Sequence, residues 1–126
     1  MDKYLVLAFG GAVGTIGRYL VGVYSAKLLG TNFPYGTLIV NVLGSFIIGF
    51  FMIIFLEKLS LDPIWRLFVA VGFCGGFTTM SSFSFETLML LSDGEYLKAF
   101  LNVFLNVFLS LGSTFLGIVL ARSLGV

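Results

Sequence analysis

The sequence predicts an all-α membrane protein built on four transmembrane helices. Three observations lead there. Of its 126 residues, 59% are hydrophobic and 10% charged, with a mean hydropathy of +1.10, far more apolar than a domain whose surface meets water. The apolar residues fall into four runs, each at or above the twenty or so residues that a hydrocarbon core of about 30 Å requires. Between the runs lie only the short polar connections LGTNFP, EKLSLDP and SDGE, which leave no room for a soluble catalytic or nucleic-acid-binding domain. The expected organisation is one four-helix transmembrane domain over residues 1–126.

The first span covers Tyr4 to Leu29. Its opening MDKYLVLAFGGAVG has the lysine, apolar core and small residues of a signal peptide, but the apolar pattern runs on past it. Gly10 and Gly14 give the small-xxx-small spacing that lets helix backbones approach closely. Arg18 falls near mid-depth in GGAVGTIGRYL, where a guanidinium is costly unless it snorkels or pairs. Two uses fit it: a positive vestibule that draws anions inward, or a brace holding a neighbouring helix end or carboxylate.

The second span, Tyr35 to Leu56, carries Asn41 mid-span in GTLIVNVLGSF and a small pair at Ser45 and Gly49. The third, Trp65 to Leu91, contains GFCGGFTTMSSFSFE, residues 72–86. Gly72, Gly75 and Gly76 weaken helix there, and Thr78, Thr79, Ser81, Ser82 and Ser84 offer hydroxyls to freed backbone groups. Non-helical backbone at membrane depth is tolerated only where protein or a cavity covers it. The expectation is therefore a broken third helix, with a simple glycine kink as the plainer alternative. In the fourth span, Tyr96 to Ala121, Asn102, Asn106, Ser110 and Thr114 recur at every fourth position and share one helix face. Such a stripe either lines a pathway or glues helices, and the absence of lysine and arginine along it favours lining. Ser113 and Gly117 add a third small pair.

Other classes fall away. Cys74 is the single cysteine and histidine is absent, so neither an internal disulfide nor a transition-metal cluster can be assembled. No base, nucleophile pair or metal cluster exists to make an enzyme, and a net charge of +1 calls for no polyanionic partner or nucleic acid. Basic residues nearly tie across the four spans, with Lys3, Lys58, Arg66 and Arg122 on one side and Lys27 and Lys98, with or without Arg18, on the other. A tie lets copies insert both ways and build an antiparallel, dual-topology homodimer; a weak bias corrected by early charges is the alternative.

GGAVGTIGRY, GTLIVNVLGSF and above all GFCGGFTTMSSFSFE resemble the Fluc (CrcB) fluoride channels of bacteria, whose pattern is close to GGxxGxxxRY, GTLxxNxxGxF and GFCGGxTTFSTFSxE. The resemblance covers the whole chain and the order of its motifs. It implies a passive fluoride channel of the bacterial inner membrane, an antiparallel homodimer with two pores set in membrane lipid. On this sequence the pore rings fall on Phe83 and on the position held by Met80, with Ser81 and Ser84 beside them. Asn41 matches an ion-coordinating amide, and Asn102, Asn106, Ser110 and Thr114 match the polar track. Backbone carbonyls of Gly75 and Thr78 match those holding a structural Na+ at the dimer centre, while Arg18 and Glu86 match residues of the vestibule and pore mouth.

The chemistry of these groups agrees with a small, strongly hydrated anion. Neutral amide and hydroxyl donors replace its water without gripping it as a lysine would, and a phenyl ring presents a positive edge. Met80 departs from the pattern, since a thioether cannot reproduce that edge. Reduced or altered fluoride passage with the fold retained is the expectation. Two rivals are a small multidrug-type proton-coupled exporter using Glu86, although its first span lacks the usual acid, and a non-transporting structural subunit.

Overall fold

The structure is a computed structural model describing residues 2–59 and 61–124. Among these residues every regular element is helical, and four stretches are long and apolar enough to cross a bilayer: Lys3–Leu29, Tyr35–Lys58, Pro63–Ser92 and Tyr96–Ser123. Ser60 of the second connection, and Met1, Gly125 and Val126 of the expected 1–126 domain, lie outside the described residues.

Local chemistry sets the ends of each element. Helix α1 (Lys3–Leu29) begins at Asp2, whose carboxylate accepts from the Tyr4 N–H at 2.8 Å. It stops at Gly30, whose φ of 87° suits glycine, and Lys27 sits in the last turn where a cation favours the helix dipole. Helix α2 (Tyr35–Ile53) follows Pro34 and continues as a π-helical turn, Ile54–Lys58. The third stretch is composite. A short α3 (Pro63–Arg66) has Pro63 in its first turn and Asp62 as its cap, accepting from the Ile64 N–H at 2.9 Å. It widens into π turns over Leu67–Cys74, tightens into α4 (Gly75–Phe77), and resumes after two extended residues as α5 (Met80–Ser92). Gly94, at φ 76°, makes the turn into α6 (Tyr96–Ser123).

One boundary differs from the sequence reading, which puts Glu57 and Lys58 in a connection. The helical path continues through both because α6 gives them partners. Arg122 donates from Nη2 and Nε to the two Glu57 carboxylate oxygens at 2.9 and 3.2 Å, and Lys58 Nζ donates to the Arg122 carbonyl at 3.1 Å.

The small residues do their packing within one chain. Helix α2 packs most extensively on α6. A Cβ on Gly49 would lie 2.5 Å from the Thr114 carbonyl oxygen, and one on Gly117 would lie 2.6 Å from that of Phe46. Ser113 and Thr114 donate to the carbonyls of Val42 and Ser45 at 2.9 and 3.0 Å, across the same seam. Close backbone approach with interhelical hydrogen bonds is how membrane helices associate where lipid is as apolar as the side chains. Gly10 and Gly14 bring α1 against the π turns in the same way, Gly10 facing the Phe68 carbonyl and Gly14 that of Phe73. At the Glu57–Arg122 end, Ile53, Ile54 and Ala121 form a buried cluster closed by Phe50, Phe55 and Ile118.

Candidate functional site

The site is organised by Thr78 (φ −85°, ψ 160°) and Thr79 (φ −151°, ψ 118°), extended residues between α4 and α5. In a continuous α-helix the Thr79 N–H would reach the Gly75 carbonyl, and the Met80 N–H that of Gly76. Here the Thr79 N–H donates to Asn41 Oδ1 at 2.8 Å, and Asn41 Nδ2 donates back to the Thr79 carbonyl at 3.2 Å. One side-chain amide thus pairs both backbone groups of a single residue at membrane depth, where an unpaired peptide group is expensive. Arg18 Nε serves the Gly76 carbonyl at 3.0 Å. The remaining ends are tied locally. Thr78 donates from N–H and Oγ1 to the Cys74 carbonyl at 3.0 and 2.8 Å, and Thr79 Oγ1 caps α5 by accepting from the Ser82 N–H at 3.2 Å. Gly44 lets α2 reach this segment, since a Cβ there would collide with Thr78 Cγ2.

Beside the extended residues lies a cavity of about 500 Å³. Asn41, Asn106 and Ser110 line it together with Gly75, Thr78, Met80 and Phe83. Met80 sits at the rim, 72% exposed. Ser110 Oγ is buried and has no hydrogen-bond partner among the described residues, so its hydroxyl proton is unclaimed. The rest of the fourth-helix stripe is engaged. Asn106 Nδ2 donates to the Asn102 carbonyl and Oδ1 at 2.8 and 3.0 Å, and Thr114 holds Ser45 as described. Gluing and lining therefore coexist on one face, with Asn102 and Thr114 in bonds and Ser110 among the residues that line the cavity.

The other predicted residues lie apart from this cavity. Ser81 and Ser84 are exposed on α5 and do not line it, Ser81 Oγ lying 3.4 Å from Thr79 Oγ1. Arg18 lines a neighbouring cleft of about 430 Å³ with Thr37, Thr79 and Ser82. Glu86 lines a third, of about 370 Å³, with Ser25, Thr37 and Asp93 near the connection after α1. Its Oε1 is buried and without a partner among the described residues. Two hydroxyls escape the sequence reading. Thr37, inside GTLIVNVLGSF, borders both lesser clefts. Thr87 accepts from Asn102 Nδ2 at 2.9 Å and donates to the Phe83 carbonyl at 2.7 Å. Its only signal in sequence is a hydroxyl among apolar residues, four positions after Phe83.

The sequence profile of the family described as CrcB-like protein, Camphor Resistance (CrcB), matches residues 5–118. Among curated relatives, a fluoride-specific ion channel FluC of Sulfurihydrogenibium sp. (strain YO3AOP1) is 68% identical over 124 residues, covering 98% of this chain and 100% of its own. Proteins of the same description are 43% identical in Legionella pneumophila (strain Paris), over 94% of this chain and 89% of theirs, and in Geobacter sp. (strain M21), over 98% and 100%.

Proposed function

The chain belongs to the CrcB-like family, and on that premise we propose that it is a fluoride-selective channel, letting the ion leave a bacterial cell passively across the inner membrane. It is a multi-pass bacterial membrane protein and, like the channels it resembles, a transport protein rather than an enzyme. The observation that carries the proposal is the cavity where the unpaired Ser110 hydroxyl, the Asn41 and Asn106 amides and Phe83 meet beside extended backbone.

That arrangement suits fluoride. Dehydrating a small anion is costly, so a pore must return donors without creating a trap. A free hydroxyl, amides that exchange one neutral acceptor for another, and an aromatic edge do this with no lysine or arginine side chain among the cavity's lining residues. We read Asn41, Met80, Phe83, Asn106 and Ser110 as the pathway's centre, with Ser81, Ser84, Asn102 and Thr114 extending it. Arg18 and Glu86 stand toward its mouths. Met80 in place of a ring reduces or alters passage.

The assembly belongs to the same reading: residues 1–126 form one channel domain, and two copies pair antiparallel, in dual topology, to make two pores. Extensive apolar exposure on a single chain, including Phe100, Phe104 and Phe108, supports burial against lipid and a second copy. A structural Na+ fits the residues present. The break in the third helix deprives the Gly75 carbonyl of its Thr79 donor, and neutral backbone oxygens of Gly75 and Thr78 suit such an ion. Held there, it would supply fixed positive charge between the copies.

The proton-coupled exporter is not favoured, because Glu86 lies toward the connection end with Asp93 and the first span contains no acid. Reconstitution in liposomes loaded with fluoride or chloride, under a potassium–valinomycin potential, decides between them. Rapid loss of fluoride alone supports the channel. Loss that follows a proton gradient would favour the exporter, and retention of both ions, also after Met80→Phe, would favour a structural subunit.

A further inference from the structure

Six hydrogen-bonding residues on three helices form a path closed by the α5 backbone. Starting at Thr79, the backbone pairs with the Asn41 amide. Asn41 Nδ2 donates to Asn106 Oδ1 at 2.9 Å, Asn106 Nδ2 to Asn102 Oδ1 at 3.0 Å, and Asn102 Nδ2 to Thr87 Oγ1 at 2.9 Å. Thr87 Oγ1 then donates to the Phe83 carbonyl at 2.7 Å. The path leaves α5 at its cap, crosses α2 and α6, returns to α5 at Thr87 about two turns later and steps back one turn to Phe83. It encloses the turn that carries Met80 and Phe83.

The polarity of this path is fixed. Asn106 presents its oxygen to Asn41, so its nitrogen must face Asn102, whose oxygen is then occupied and whose nitrogen must face Thr87. Thr87 is the hydroxyl that ends the chain of amides, accepting from Asn102 Nδ2 and passing its own proton to the Phe83 carbonyl. Asn102 has no exposure at all, so no solvent can replace that acceptor.

We propose that Thr87 is a positioning residue for ion selection: as the terminal link of the Asn41–Asn106–Asn102 relay, it holds the Phe83 turn at a fixed distance from α2 and α6. This rests on the channel reading above but concerns a residue outside the cavity. Thr87 touches no ion; it sets the width at which Phe83 faces Ser110. Loss of its hydroxyl orphans the Asn102 amide and frees the turn to shift, which widens the pathway for a larger halide.

The test compares Thr87→Val, nearly isosteric but without the hydroxyl, with Thr87→Ser, which keeps it. Each full-length chain is purified as folded, monodisperse protein and assayed in vesicles for fluoride and chloride efflux. Amide hydrogen exchange is followed over residues 79–83. Thr87→Val is expected to lower the fluoride-to-chloride ratio at least tenfold and speed exchange in that turn at least tenfold; Thr87→Ser is expected to match the parent in both. A purely structural role would reduce yield yet leave the ratio of the folded fraction unmoved. Should Thr87→Val not fold, Thr87→Ala, which also lacks the hydroxyl, carries the same expectation. Unchanged ratio and exchange in the variant without the hydroxyl, or a serine variant as impaired as that one, overturns the proposal. Exchange judges the brace by itself, so a chain that passes no fluoride either as the parent or as Met80→Phe sinks the channel reading while the brace is still decided.

Discussion

Asn41→Asp is the sharpest perturbation the geometry offers, because it changes one atom's character and almost no volume. The aspartate keeps Oδ1 where it accepts from the Thr79 N–H at 2.8 Å. Its second oxygen replaces a nitrogen that donates to the Thr79 carbonyl at 3.2 Å and to Asn106 Oδ1 at 2.9 Å. Two attractive contacts thus become contacts between acceptors. Side-chain hydrogen bonds between membrane helices average about 0.6 kcal/mol and reach about 1.7, so the two lost bonds cost on the order of 1–3 kcal/mol. The charge matters more to transport. A carboxylate roughly 5 Å from a passing anion repels it by about 3 kcal/mol at an effective dielectric near 20, which slows passage by about a hundredfold or more. The assay is initial fluoride efflux from proteoliposomes at neutral pH, normalised to folded protein, with thermal unfolding measured in parallel. A variant that passes fluoride within about twofold of its parent would refute the reasoning.

Further outcomes follow from other parts of the structure. Ser110→Ala removes the unpaired buried hydroxyl while leaving the hydrogen bonds of Asn102, Asn106 and Thr114 intact, so fluoride efflux should fall about tenfold with thermal stability unchanged. Met80→Phe restores an aromatic edge at the cavity rim and should change efflux in the fluoride channel assay; an identical rate would remove Met80 from the pathway. Gly117→Val places atoms against the Phe46 carbonyl, where even a Cβ lies 2.6 Å away, and overpacking of about 1–3 kcal/mol should lower the melting temperature of the detergent-solubilised chain. Glu57→Gln weakens an exposed pair with Arg122 far from the cavity and should leave efflux unaltered, as measured beside the parent.

The four spans were legible because uninterrupted apolar runs of membrane length have one physical reading, and Tyr35 and Tyr96 open α2 and α6 where the runs begin. The extended residues sit where the glycine and hydroxyl cluster pointed, since Gly75, Gly76, Thr78 and Thr79 combine weak helix preference with local capping. Partner identity was not legible. Nothing in the spacing of Asn102, Asn106, Ser110 and Thr114 says that Asn102 meets Thr87 while the Ser110 hydroxyl has no hydrogen-bond partner among the described residues, because that depends on how the helices lie side by side. The π turns over Leu67–Cys74 likewise have no sequence signature; they fit the close passage of α1, where Gly14 abuts the Phe73 carbonyl. Glu57 was misplaced for a related reason: a charge near a span end looks like loop until an arginine sixty-five positions later claims it.

The central claim is that uncharged donors and an aromatic rim beside Thr78 and Thr79 carry fluoride and refuse larger halides. Parallel efflux recordings from vesicles containing the parent chain and Phe83→Ile test it most directly, with fluoride and chloride electrodes read together. The account predicts fluoride loss with chloride retained for the parent, and still less fluoride loss for Phe83→Ile. Chloride leaving alongside fluoride in the parent, or an isoleucine variant as fast as the parent, would contradict it.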